Sequence, residues 1–161
     1  MKAASLSEIK KELSNRSPSD LKEMCLAMAK FKKENKELLT YLLYEKDDEA
    51  SYIEVVKEEI ETQFDEMNKK TPYFIKKSTR KVLRNTKKYI RYSKIKTTEA
   101  DLLIHFCKVL QENNPRLKYD TVMLNIHNRQ IELIRKAVKA LHSDLQFDYE
   151  SEIEGLEEQL K

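Results

Sequence analysis

The longest run of like charge in this chain is basic and lies between Glu66 and Glu99. It holds twelve lysines and arginines and no acidic residue. On a helix, at about 100° per residue, nine of them fall within an arc of about 140°, opposite an apolar stripe. A row of cations about 27 Å long can bind a polyanion through phosphates or carboxylates. The nine residues of this basic face are Lys76, Lys77, Arg80, Lys81, Arg84, Lys87, Lys88, Arg91 and Lys94.

Three interpretations of the basic face stay open. In the first, the face is solvated, or it is neutralised by acidic residues of the preceding helix or of a last helix over residues 144–161. In the second, it binds an acidic protein partner. In the third, it binds nucleic acid without reading sequence, and Tyr73, Tyr89 and Tyr92 offer rings for stacking. Exposed ion pairs contribute only about 0 to 1 kcal/mol each, so neutralisation alone does not explain the segregation of charge.

Histidine and glycine positions point to no catalytic centre. His105, His127 and His142 each lack a glutamate three residues earlier, so the Glu-x-x-His pairs of helical di-metal sites are missing. A single glycine excludes glycine-rich phosphate-binding loops. We expect His127 to be a hydrogen-bonded core residue and His105 to lie on the surface. The sequence predicts a non-catalytic protein without cofactor or metal, and an enzyme built from dispersed residues is the weaker alternative.

The two cysteines are predicted to be buried, reduced thiols. Cys25 and Cys107 are far apart and form neither a CxxC motif nor a Cys/His cluster. Cys25 shares a helix face with Leu21 and Met24, and Cys107 lies on a nearly all-apolar helix. Slow reaction of both thiols in the native protein is therefore expected.

Composition and helix-starting residues predict an all-α fold. One glycine and three prolines in 161 residues leave little material for tight turns, and the remaining residues favour helix. Ser5, Ser17 and Thr71 stand where N-caps are needed, with Pro18 and Pro72 as first helical residues. A third helix over residues 35–46 is apolar nearly all round, so we expect it to be the most buried element.

The predicted architecture has seven to eight antiparallel helices. Two apolar helices about 64 residues apart favour a layered α-α superhelix of the HEAT-like kind, and a compact helical bundle is the alternative. We predict an all-helical domain over residues 1–143 and an acidic peripheral C-terminal helix over 144–161. That last helix has a narrow apolar seam, which fits docking on one neighbour or pairing with a second copy in a homodimer. The seam consists of Leu145, Tyr149, Ile153, Leu156 and Leu160.

Hydropathy predicts a soluble, cytoplasmic protein. The longest apolar runs, over residues 38–44 and 102–107, are much shorter than a membrane span. The first residues carry no hydrophobic signal region. We expect no membrane partner.

The segment from Ala29 to Phe64 resembles a family of small all-helical bacterial proteins to which no function is attached. That resemblance implies no activity, so the functional expectation depends on the basic face. The sequence predicts a helical interaction module that binds an acidic protein partner through this face. The alternative is a sequence-tolerant nucleic-acid-binding protein.

Overall fold

The computed structural model describes residues 2–160 and confirms the all-α fold. Helix accounts for 81% of it, with eight α-helices and no strand within that range. No helix among these residues combines the length and apolar character that crossing a bilayer demands. The layered α-α superhelix stays a prediction.

The chain divides into two compact units between Tyr44 and Glu45. The boundary that the sequence suggested, between residues 143 and 144, falls inside the second unit. The first unit contains helices α1 (Leu6–Leu13), α2 (Pro18–Phe31) and α3 (Lys33–Thr40), and α3 continues into a π-helical turn, Tyr41–Glu45. Capping boxes from Ser5 and Ser17 begin α1 and α2, as predicted.

The first unit is the most exposed part of the described chain, which overturns two expectations. Among residues 2–44 only Tyr41 is buried, whereas Leu43 and Tyr44 are largely exposed. The third helix is therefore not the most buried element. Cys25 on α2 is exposed as well, so its predicted burial is wrong. An apolar face requires a covering element, and α2 and α3 cover only part of each other.

The second unit contains helices α4 (Glu49–Asp65), α5 (Pro72–Ser93), α6 (Lys96–Asn113), α7 (Thr121–Val138) and α8 (Ser143–Glu158). A 3₁₀ turn, Leu117–Tyr119, joins α6 to α7. Helix α6 lies at the centre and packs against α4, α5, α7 and α8. Its buried residues include Leu102, Leu103, Phe106 and Leu110, so the second apolar helix is the core that the sequence predicted.

Helix α8 packs on α6 and α7 through its apolar seam. Ile153 and Leu156 of the seam are buried, and Leu145 is exposed at its start. This chain's own helices thus cover the two buried residues of the seam. A homodimer through the C-terminal helix stays a prediction.

Candidate functional site

Helix α5 carries the basic face and is fixed to the second unit along its opposite side. Thr71 caps its first turn by accepting a hydrogen bond from the Phe74 N–H, 3.3 Å away. Thr79, Val82 and Thr86 are buried where α5 packs against α4 and α6. The basic face therefore lies on a rigid 22-residue helix with its far side in the core.

Six residues of the basic face are exposed to solvent, and we call them the α5 cation row. None of the six forms an ion pair within 4.0 Å among residues 2–160. They span about 26 Å at 1.5 Å per residue. The row consists of Lys77, Arg80, Lys81, Arg84 and Arg91 on α5 and of Lys94, the C-cap residue that follows the helix.

The other three residues of the predicted basic face are held differently. Nζ of Lys76 lies 3.0 Å from Oδ2 of Asp120, the carboxylate that caps α7. Lys87 is half-buried; burial lowers its pKa, and the carboxylate of Glu99 opposes that shift. Lys88 lies over the Tyr89 ring, with Nζ 4.6 Å from the centroid. The structure thus separates three structurally engaged cations from the α5 cation row.

An aromatic pair marks the N-terminal end of the row. Tyr73 is 67% exposed and Phe74 is 38% exposed. Their ring centroids are 5.5 Å apart, with the planes at 70°. Together with Lys77, Arg80 and Arg84, these rings line a surface recess of about 470 Å³.

The last helix does not neutralise the basic face. Helix α8 forms ion pairs with α6, through Lys108 and Glu152 at 2.6 Å, and with α7, through Arg135 and Glu157 at 2.7 Å. Helix α8 packs on α6 and α7, and α5 packs on α4 and α6. The α5 cation row and the outer face of α8 are therefore both left to solvent.

Sequence reasoning missed a polar cluster beside α6. The Tyr149 hydroxyl donates a hydrogen bond to Oδ1 of Asp101 at 2.7 Å. Nε2 of His105 lies 3.0 Å from Oε1 of Glu61, and the His105 side chain is only 18% exposed, so its predicted surface position is wrong. The available signal was the spacing of Asp101, His105 and Lys108, which places three polar residues along one side of an apolar helix.

Burial dominates the electrostatics of this cluster. It raises the pKa of Asp101, and the hydrogen bond from Tyr149 opposes that shift. Burial lowers the pKa of His105, and the Glu61 carboxylate opposes this lowering. A cavity of about 80 Å³ lies beside Asp101 and His105, and this volume suits a few water molecules rather than an organic substrate.

The remaining candidate groups are packed in the core. His127 is fully buried and hydrogen-bonded, as predicted. Cys107 is buried too, and burial raises the pKa of its thiol to about 12. Within residues 2–160, no group of three or more His, Cys, Asp or Glu side chains is placed to hold a metal ion.

Comparison of the chain with protein-family models, curated proteins and solved structures gives no match. The functional argument therefore starts from the α5 cation row and its surroundings.

Proposed function

We propose that this protein is a non-catalytic interaction module whose α5 cation row binds an acidic segment of a partner protein. The observation that carries the proposal is that six exposed cations on α5 and its C-cap residue form no ion pair within residues 2–160. Cations left unpaired on one surface attract a partner of opposite charge and fix its orientation.

The rigidity of α5 supports this function. Thr79, Val82 and Thr86 anchor the helix in the core, and the hydroxyl of Tyr52 on α4 donates to the Tyr89 carbonyl at 3.0 Å. A surface fixed before binding loses little conformational entropy when the partner arrives. The backbone beneath the row needs no rearrangement to receive a partner.

The end of the row favours a protein partner over nucleic acid. Tyr, Phe and Arg are enriched in protein interfaces, and Tyr and Arg are also enriched among the residues that carry most of the binding energy. The Tyr73 and Phe74 rings meet edge to face, so they do not form two parallel platforms for successive bases. An acidic segment with an apolar or aromatic side chain at one end matches both the rings and the cations.

Binding to fluorescently labelled poly-glutamate tests the proposal. We expect the wild type to bind at about 50 mM NaCl and to lose most of its affinity by about 500 mM, because salt screens exposed charges. The variant K77E/R80E/R84E should lose affinity roughly tenfold or more. R129E/K136E/K139E on α7 is the matched control, since it makes the same charge change at exposed residues outside the row.

Two results would overturn the proposal. Equal losses in the two triple variants would mean that net charge, not the row, determines binding. Single-stranded DNA of equal charge that binds roughly tenfold more tightly than poly-glutamate, and that is weakened by Tyr73→Ala, would favour the nucleic-acid alternative. Circular dichroism of each variant checks that the helices remain folded.

A further inference from the structure

We infer that the acidic segment recognised by the α5 cation row is the outer face of α8 in a second copy of this chain. This inference rests on the proposed function, because it names the occupant of the same surface. Four acidic residues of α8 are exposed and form no ion pair within residues 2–160; they are Asp148, Glu150, Glu154 and Glu158.

The inner side of α8 holds this acidic face outward. Ile153 and Leu156 are buried on the side that packs against α6 and α7. Ion pairs from Glu152 to Lys108 and from Glu157 to Arg135 clamp the flanks of the same helix. The outer face of α8 is thus rigid and free to meet another molecule, as the α5 cation row is.

The two surfaces share one spacing. Lys77 and Lys81 follow Phe74 by three and seven residues, and Glu150 and Glu154 follow Phe147 by three and seven residues. Phe147 is 78% exposed, as an aromatic anchor would be. If the two helices lie parallel with Phe147 beside Phe74, each glutamate reaches the level of a lysine, because both helices rise 1.5 Å per residue.

Helix α4 also carries many acidic residues, but it matches the α5 cation row less well than α8 does. Three of its glutamates are already engaged: Glu54 with Lys57, Glu59 with Gln63, and Glu61 with His105. Its aromatic residues, Tyr52 and Phe64, are buried, so its surface offers no ring to match Phe74. The α8 surface supplies both unpaired carboxylates and a ring.

Each copy carries both surfaces, so a single contact between two copies does not complete the assembly. One α5–α8 contact leaves one cation row and one acidic face unused, so the pair either closes by a reciprocal second contact or adds further copies. Sedimentation should therefore show species heavier than the 19.1 kDa monomer at low salt.

Charge reversal on each surface tests the inference by sedimentation velocity at about 50 mM NaCl. K77E/R80E/R84E leaves the α5 cation row with three glutamates and three cations and hence no net charge, and E150K/E154K/E158K makes the outer face of α8 basic. In each variant the two surfaces no longer carry opposite charge, so each variant alone should sediment as a monomer. An equimolar mixture should recover a heavier species, since the unaltered cation row of E150K/E154K/E158K then meets the unaltered acidic face of K77E/R80E/R84E. R129E/K136E/K139E should self-associate as the wild type does.

The outcomes separate this inference from the proposed function. A wild type that stays monomeric yet binds poly-glutamate through the row would overturn the inference and leave the proposed function standing. A wild type that stays monomeric and ignores poly-glutamate would overturn both. Self-association that survives in E150K/E154K/E158K, or that persists at about 500 mM NaCl, would place the contact elsewhere and also overturn the inference.

Discussion

Nε2 of His127 lies 3.1 Å from the side-chain amide nitrogen of Gln111, in the fully buried contact between α6 and α7. The same amide nitrogen donates to the Leu156 carbonyl of α8 at 2.7 Å. Because an amide nitrogen is only a donor, Nε2 must accept, and Nδ1 then carries the proton toward Oδ1 of Asn128, 3.3 Å away. The Gln111 amide thus joins α6 to a neutral His127 on α7 and to the backbone of α8.

Protonation of His127 is expected to destabilise the protein. Burial lowers its pKa in the folded state from the ordinary value of 6.5, opposed by the Asn128 hydrogen bond and the Glu157 carboxylate. Between the two pKa values the unfolded chain binds more protons, so the free energy of unfolding should fall as pH drops below about 6.5. Urea unfolding between about pH 7.5 and 5.5 measures this change.

His127→Gln provides the comparison for that pH dependence. His105 contributes in the same direction, because burial lowers its pKa as well. The difference in slope between wild type and His127→Gln therefore isolates His127. Identical slopes would show that its protonation is not linked to folding.

Leu156 should contribute far more to stability than Leu145 on the same helix. Leu156 is 2% exposed and Leu145 is 43% exposed. Leu156→Ala should cost about 2 to 5 kcal/mol in the free energy of unfolding, and Leu145→Ala about 1 kcal/mol or less. Small, similar losses in urea unfolding would instead show α8 to be the peripheral element that the sequence suggested.

The Tyr149–Asp101 hydrogen bond should lower the pKa of Asp101. Burial raises this pKa and the Tyr149 hydroxyl counteracts it, so Tyr149→Phe should raise it further. Carboxyl carbon-13 NMR titration of wild type and variant would measure the change. An unchanged pKa for Asp101 would mean that the hydroxyl does not stabilise the carboxylate in solution.

The two cysteines should differ in reactivity. Cys25 is exposed, whereas Cys107 is buried and its thiol pKa is raised to about 12. A chromogenic disulfide reagent should label one thiol per chain quickly in the native protein, and Cys25→Ser should abolish that fast phase. A fast phase that survives in Cys25→Ser would place Cys107 at the surface.

The elements that depend on local chemistry could be predicted from sequence. Ser5, Ser17 and Thr71 cap the helices they were expected to cap, because a cap depends on residues within one turn. Helix α6 begins without such a cap: its N-cap residue is Ile95, which makes no side-chain hydrogen bond, although Thr97 and Thr98 follow within the first turn. The first residue of a helix is hard to predict when no capping side chain marks it.

Which side chains are buried and which form ion pairs could not be predicted from the sequence. Leu43 is apolar and exposed, and no periodicity in the sequence states whether another element covers it. Lys76 and Asp120 are 44 residues apart, so the sequence could not show that Lys76 forms an ion pair while the six residues of the row stay exposed. The arc of the basic face followed from helix geometry, but the reduction from nine residues to six depended on tertiary contacts.

Amide chemical-shift mapping with poly-glutamate tests the proposed binding surface most directly, because it locates the site without altering the protein. The account predicts that the largest shift changes fall on residues 73–93 of α5 and on its C-cap residue Lys94, and that they disappear when salt is raised to about 500 mM. Changes centred on the exposed cations of α7, Arg129, Lys136 and Lys139, or no changes at low salt, would contradict it.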